Sequence, residues 1–294
     1  MIFSACRNED GMCRRAPWSL HGMHETGSSS REKTALSHGG IGMDSSTELI
    51  QSILKAVRIM EELDRSGALG IREIAHSLDL GKSSVHRIVS TLKHAGWIVG
   101  NEKNGKNELS YKLFSIGSNV VKRISHRDFF HKKMEQLCDS TGENVNLGLL
   151  FRGEVFHIDK VESKSPIKVD VGLGTPTSAY NTALGKVLLA EMSGLEVTEL
   201  FKDYRFVKTG KNTILSLPEL LHELERVRTQ GYACDNEEYA ENMICYAVPV
   251  KNRSKSEYAL SVSFPKYRYE NKPEEMEKIL KELIATGRAL SESG

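Results

Sequence analysis

Between Lys82 and Leu113 the chain sets an amphipathic helix directly before an Asn-Gly hairpin, and few folds accommodate that order. Val85, Ile88, Val89 and Leu92 fall at i, i+3, i+4 and i+7, the apolar stripe of a helix running from about Lys82 to Ala95. Gly96 ends it. Trp97-Ile98-Val99, a turn centred on Asn104-Gly105, and the alternation Leu109, Tyr111, Leu113 read as two paired strands. Upstream, Leu49, Ile50, Ile53, Val57, Met60 and Leu63 recur at helical spacing after Ser45-Ser46-Thr47, a supply of N-caps. Ile71 to Leu78 makes a short second helix, with Ile74, Ala75 and Leu78 inward and Asp79-Leu80-Gly81 as the turn. Three helices and a hairpin predict a winged helix-turn-helix over residues 44–113.

If the stripe of the third helix is core, its opposite face is exposed. That face holds Lys82, Ser83, Ser84, His86, Arg87, Ser90, Thr91, Lys93 and His94, all able to hydrogen-bond to a phosphate or a base edge, and none acidic. Lys103 and Lys106 flank the hairpin tip, where a wing meets a nucleic-acid backbone. The net charge of +1 hides an asymmetry. Residues 44–80 carry four Lys/Arg against seven Asp/Glu, and residues 81–112 carry six against two. One basic stretch on a neutral chain suffices to bind a polyanion. Singly, each of these residues is an ordinary surface residue, and a Ser-Ser pair at a helix start is more often a cap. Fold, exposure and charge together point to double-stranded DNA.

Residues 114–126 read as a linker helix with Ile116, Val120, Val121 and Ile124 apolar, and Phe129 to Cys138 continues helically to Thr141-Gly142. The apolar side of this stretch is a candidate for pairing two subunits. After Gly142 the period becomes two: Val145, Leu147 and Leu149, then Val155 to Val161, then Ile167, Val169 and Val171. Gly172 to Pro176 breaks the chain before an apolar helix from about Thr182 to Met192. Ser216-Leu217-Pro218-Glu219 is a capping signature for a helix ending at Gly231. Ile244 to Val250 and Tyr258 to Phe264 are strands, and a last helix begins at Pro273. Residues 127–294 therefore form an α+β domain, a mostly antiparallel sheet with helices packed on it.

Residues 1–43 show no sustained apolar periodicity and read as a disordered extension. Gly39-Gly40 can be encoded as a purine-rich ribosome-binding sequence two codons before Met43, so a second reading starts the native chain at Met43. Five scattered cysteines with no Cys-x-x-Cys spacing argue against a disulfide framework or a zinc ribbon, and Cys6, Cys13, His21 and His24 match no zinc pattern. We expect no metal and no cofactor. No apolar run approaches the ~18 residues that span a bilayer, and the N-terminus lacks the basic-then-apolar order of a secretory signal. No membrane and a cytoplasmic location are the expectations.

Several ordered motifs carry a more specific resemblance. They are Ile71-Arg72-Glu73-Ile74-Ala75 with Lys82-Ser83-Ser84-Val85-His86-Arg87, Thr141-Gly142-Glu143, Thr182-Ala183-Leu184-Gly185-Lys186, and Val227-Arg228-Thr229-Gln230-Gly231-Tyr232. Asp235-Asn236-Glu237-Glu238, Ala247-Val248-Pro249-Val250 and Ala259-Leu260-Ser261-Val262-Ser263 complete the set. Nearly everything after residue 43 resembles an IclR-family transcriptional regulator. The resemblance implies a GAF-like effector-binding domain, homodimers or homotetramers, and partly palindromic operators. It also implies a small-molecule effector held by Ala183, Leu184, Asp235, Cys245, Ser261 and Ser263. Elementary chemistry agrees in part. Backbone N–H groups at a helix start favour a carboxylate, and Ser261 and Ser263, two apart, share one face of a strand. Taken singly, the serines equally suit sheet-face polarity and Cys245 suits core. Family members often have histidine shortly before Ala-Leu-Gly-Lys, where this chain has Tyr180-Asn181, which suggests a changed pocket.

The functional expectation is a sequence-specific repressor or activator of a catabolic operon, controlled by a small carboxylate-containing metabolite. An enzyme using Cys245 as nucleophile would need a base such as His157 or His222 beside it, and no motif places one; no catalytic residue is assigned. An adaptor binding only protein would lack salt-dependent DNA affinity.

Overall fold

A computed structural model of the chain describes residues 49–101, 103–122, 126–168, 171–252 and 255–292. The extension 1–43, the caps Ser45 to Thr47, Ile124 and Val169 lie outside the described residues. The chain divides into two compact units, one ending at Lys122 and one beginning at Arg123.

In the smaller unit α1 (Gln51–Ser66), α2 (Ile71–Ser77) and α3 (Lys82–His94) precede a hairpin of β1 (Ile98–Asn101) and β2 (Lys106–Leu109). The core is Ile59, Leu63, Ile74, Val85, Val89 and Ile98, so the α3 stripe does turn inward. Gly96, at φ +76°, ends that helix in the left-handed region. The sequence stripe of α1 is only partly core. Ile59, Glu62 and Leu63 are buried, whereas Leu49, Ile50, Ile53 and Val57 are exposed. Buried Glu62 accepts hydrogen bonds from Ser66 Oγ (3.0 Å) and Ser77 Oγ (2.7 Å) and pairs with Arg65.

Tyr111 and Leu113 do not continue β2 as their alternation suggested. They open α4 (Tyr111–Lys122), because Ser110 caps it: Ser110 Oγ accepts from Lys112 N (3.3 Å) and Ser110 O from Leu113 N (3.2 Å). None of the α4 side chains is buried.

The larger unit is a six-stranded sheet ordered β5-β4-β3-β8-β7-β6, every pair antiparallel. Its strands are β3 (Asn144–Phe151), β4 (Glu154–Val161), β5 (Pro176–Ser178), β6 (Ala233–Asn236), β7 (Met243–Asn252) and β8 (Lys255–Pro265). One face packs on α5 (Arg127–Thr141) and α9 (Pro273–Glu292) through Phe130, Met134, Leu147, Val262, Phe264 and Leu283. The apolar side of α5 is thus used within its own unit and is not the subunit-pairing face the sequence suggested. The other face carries α6 (Ala183–Ala190), α7 (Gly194–Phe201) and α8 (Leu217–Gln230) over Val155, Ala233, Ala247 and Ala259. Of the expected strand at Ile167–Val171, the described residues Ile167, Lys168 and Val171 are not in a strand, and Ile167 is exposed. Alternation alone supplies no partner, and the edge position beside β4 goes to β5 instead.

Candidate functional site

On α3, Lys82, Ser83, His86, Arg87, Ser90, Thr91, Lys93 and His94 are exposed and Ser84 is half-buried. Gly81 is the N-cap and its helix has no side-chain cap, so neither Ser83 nor Ser84 is used as one. The first turn holds no acidic residue, which leaves its orphan N–H groups and positive dipole end to an incoming phosphate. Not every polar group on this face is equally available. Thr91 Oγ1 donates back to Arg87 O (2.9 Å). A Cβ on Gly100 would lie 2.4 Å from Lys93 Nζ, so the Lys93 side chain runs across β1. Lys106 lies 3.9 Å from Glu73, and Lys103 at the hairpin tip is exposed.

The second site is a small cavity under α6, partly open to solvent. All six residues expected around an effector, Ala183, Leu184, Asp235, Cys245, Ser261 and Ser263, line it. The sheet register explains why. Asp235 stands opposite Cys245, Cys245 opposite Ser263, and Ser261 opposite both Ala247 and Asn146, so these side chains share one face. Alanines at 233, 247 and 259 leave room for α6 above them. Gly148 serves the same end: a Cβ there would lie 3.2 Å from Leu184 Cδ1 and 2.9 Å from Val155 Cγ1.

Thr182 caps α6, its hydroxyl accepting from Gly185 N (3.3 Å) while its carbonyl accepts from Lys186 N (2.9 Å). Ala183 and Leu184, the first two helical residues, have N–H groups with no partner inside the helix by position and lie at the cavity. Asp235 is fully buried; its Oδ1 accepts from Glu238 N (2.8 Å) and Tyr239 N (3.3 Å), and its Oδ2 has no partner within the protein. Burial, and then the neighbouring Glu238 carboxylate, push the Asp235 carboxyl up to about 7. Burial and next Asp235 hold the Cys245 thiol well above its usual range. Burial of this kind disfavours the thiolate, the nucleophilic form.

Seven residues lining the cavity were not singled out as effector contacts: the polar Asn146, His157, Thr177, Thr182 and Tyr239, and the apolar Val171 and Met243. Asn146 Nδ2 donates to Ser263 Oγ (3.3 Å). Burial, and secondarily Lys160, push the His157 imidazole down to about 4, so it is neutral at physiological pH. The signal available in sequence was Asn146, a polar residue at a period-two position of an apolar strand; Thr177 offers no such signal. Tyr180 and Asn181, in contrast, do not line the cavity. Tyr180 OH donates to Val207 O (2.8 Å) and accepts from Val207 N (3.0 Å), and its ring packs on Phe201, Tyr204 and Phe206. Asn181 Nδ2 donates to Thr209 Oγ1 (2.9 Å). Both hold the connection between α7 and α8 in place.

Among the described residues no cluster of three or more His, Cys, Asp or Glu could hold a metal, and no helix is long and apolar enough to cross a membrane.

Both units match known protein families. The chain matches the family model of the IclR helix-turn-helix domain over residues 52–102 and that of the bacterial transcriptional regulator IclR C-terminal domain over residues 118–292. It is 34% identical over 228 residues to the HTH-type transcriptional regulator KdgR of Dickeya chrysanthemi, covering 77% of this chain and 75% of that protein. It is 33% identical to the HTH-type transcriptional regulator XynR of Escherichia coli over 83% of this chain and 96% of that protein. The crystal structure of the Thermotoga maritima IclR is similar at a TM-score of 0.61 and 28% identity, covering 82% of this chain and 99% of that one. A solved regulator from Alicyclobacillus acidocaldarius shares the fold at a TM-score of 0.70 and 21% identity, over 83% and 98% of the two chains. An exposed cationic α3 in a winged helix, followed by a sheet-and-helix cavity domain, places this chain in the IclR family of DNA-binding transcriptional regulators.

Proposed function

We propose that the protein is a cytoplasmic, one-component regulator of a catabolic operon whose operator affinity is set by a small carboxylate-containing metabolite bound under α6. Residues 44–113 read DNA, 114–126 link, and 127–294 sense. Lys82, Ser83, Ser84, His86, Arg87, Ser90, Thr91 and Lys93 face the major groove, and Lys103 and Lys106 reach the backbone beside it. The observation that carries the sensor reading is the pairing of an open helix N-terminus with the unpartnered Oδ2 of a fully buried Asp235 across one cavity. The first suits a carboxylate, and the second orients the rest of the molecule.

The surface of the smaller unit supports a homo-oligomer. Leu49 and Ile50 just before α1, Ile53 and Val57 on it, and Tyr111, Phe114, Ile116 and Val120 on α4 are exposed apolar residues that a second copy would cover. A two-fold pair reads a partly palindromic operator, two copies of it make a tetramer, and the operator's position relative to the promoter decides repression or activation. Fluorescence anisotropy on DNA upstream of the chain's own and adjacent genes, titrated with salt and then with carboxylates, tests the reading. Affinity falling steeply with salt and changing with a carboxylate is expected; salt-independent affinity would refute it.

A further inference from the structure

The sheet face under α6 offers more hydrogen-bonding capacity than the protein uses. Of eight buried side-chain atoms without a partner within the protein among the described residues, five line this one cavity. They are Thr177 Oγ1, His157 Nδ1, Asn146 Oδ1, Ser261 Oγ and Asp235 Oδ2, on β5, β4, β3, β8 and β6 respectively. Each residue is at least nine-tenths buried. In the order of the sheet they form a diagonal rank from edge to edge, with His157 opposite Gly148, Asn146 opposite Ser261 and Asp235 opposite Cys245 of β7.

The rank has two chemical properties. First, it needs donors. With Asn146 Nδ2 committed to Ser263, the free Asn146 Oδ1 accepts only, and an ionised Asp235 Oδ2 accepts only. The serine and threonine hydroxyls accept as readily as they donate. A carboxylate or a keto oxygen has no proton to give these atoms; a hydroxyl does. Second, the rank is long. Asn146 and Asp235 sit three strand spacings apart, about 14 Å of backbone, so one hydroxyl cannot serve both. Several donors are needed along an extended ligand, with the anionic end at Ala183 and Leu184.

We propose that the effector is a polyhydroxylated linear monocarboxylate, an acid of the aldonate class, and not a short oxo acid or an aromatic acid. The proposal rests on the assignment of this cavity as the effector site. Its carboxylate sits on the α6 N-terminus and its hydroxyls donate along the rank, with His157, held neutral, one of the partners.

The test is isothermal titration of the full chain with gluconate, hexanoate, 6-aminohexanoate, sorbitol and pyruvate, each repeated as operator release. Gluconate is expected to bind, and hexanoate, which keeps the carbon chain and the carboxylate but has no hydroxyls, to bind roughly a hundredfold more weakly or worse. Sorbitol, lacking the carboxylate, is expected to fail. Thr177→Val removes one unpartnered hydroxyl without changing shape, so it is expected to fold, to leave ligand-free stability unchanged or higher, and to weaken gluconate about fivefold or more. Hexanoate, 6-aminohexanoate or pyruvate binding as tightly as gluconate and releasing DNA would overturn the hydroxyl inference while leaving the effector site standing. Unchanged gluconate affinity in Thr177→Val together with Asp235→Asn would also overturn it. If no acid alters either heat or operator occupancy, the effector reading itself falls.

Discussion

Lys186 offers the sharpest test of how the cavity is held open. It sits on α6 two residues past Leu184 and is fully buried. Its ammonium lies 2.5 Å from Glu238 Oε1, 3.1 Å from Glu223 Oε1 and 2.6 Å from the Cys234 carbonyl. Burial alone would lower the Lys186 pKa, but the two carboxylates outweigh it and leave the pKa raised, so the group is charged throughout the useful pH range. Lys186→Met keeps the volume and removes the charge. It leaves two nearly buried carboxylates and one carbonyl uncompensated, and breaking such a pair costs about 3–5 kcal/mol. For a domain of this size that corresponds to a fall of roughly 6–20 °C in Tm. Scanning calorimetry on the full chain should show the larger unit's transition move while that of the smaller unit stays. The deficit has a sign in pH. Burial already raises the Glu238 carboxyl, and without Lys186 it rises further, so protonation on going from pH 8 to pH 5 removes the stranded charge and shrinks the loss. Lys186→Met combined with Glu238→Gln should recover part of it at pH 8. A drop below about 2 °C, or a deficit that grows on acidification, would refute the argument that this triad fastens α6 to the Asp235 turn.

Other perturbations separate the remaining roles. Arg87→Ala should weaken operator binding by roughly 5- to 150-fold with an unchanged Tm, and unaltered anisotropy titrations would remove Arg87 from the reading face. His157 has its folded pKa depressed from 6.5 to about 4, so its contribution is fully present above pH 6.5 and lost as pH falls to about 4. That is worth about 3 kcal/mol, and urea midpoints measured across this window should flatten in His157→Gln. Asp235 titrates the other way: its folded value near 7 lies above its ordinary 3.8, so ionisation costs stability between those limits. Asp235→Asn should therefore raise Tm at pH 8 more than at pH 4 while weakening the ligand response, and a loss of Tm at both would make the residue structural. Gly185→Ala would set a Cβ 2.2 Å from Ala179 O, a backbone contact that cannot swing away, so a large fall in Tm of the larger unit is expected by calorimetry.

How much of the fold is legible in the sequence follows from how local each signal is. The α3 stripe and the hairpin announce themselves within thirty residues because period and turn chemistry agree, and their outward face is then forced. The α6 signature is equally local. α7 carries a local signal too, since Ser193 and Glu196 form a complete capping box, with Ser193 N donating to Glu196 Oε2 at 2.7 Å. β5 is three residues long and begins with proline, tolerable only because it is an edge. The cavity is the least local object of all. Thr177, His157, Asn146 and Asp235 come from four distant stretches, and only the strand order β5-β4-β3-β8-β7-β6 makes them a rank. A motif comparison finds the residues that flank α6 and β8, but it has no means of counting unpartnered atoms.

That count bears on how so small a ligand can govern a regulator. A ligand shifts a conformational equilibrium only by its differential affinity for the two states. Coupling of ~1–3 kcal/mol is enough to move operator occupancy severalfold or more. Each hydrogen bond to one of these buried atoms contributes about 0.5–1.5 kcal/mol net, so two or three bonds available in one state and broken in the other suffice. The geometry favours such a difference. Atoms spread over five strands and one helix stay aligned only while α6 keeps its seat on the sheet, and Lys186 ties that helix to the turn carrying Asp235. A small displacement of α6 would separate the carboxylate-binding end from the hydroxyl-binding rank and cost the ligand several contacts at once. An extended, many-handled ligand is therefore a better reporter of the position of α6 than a two-carbon acid held at one end, whose few contacts would travel with the helix.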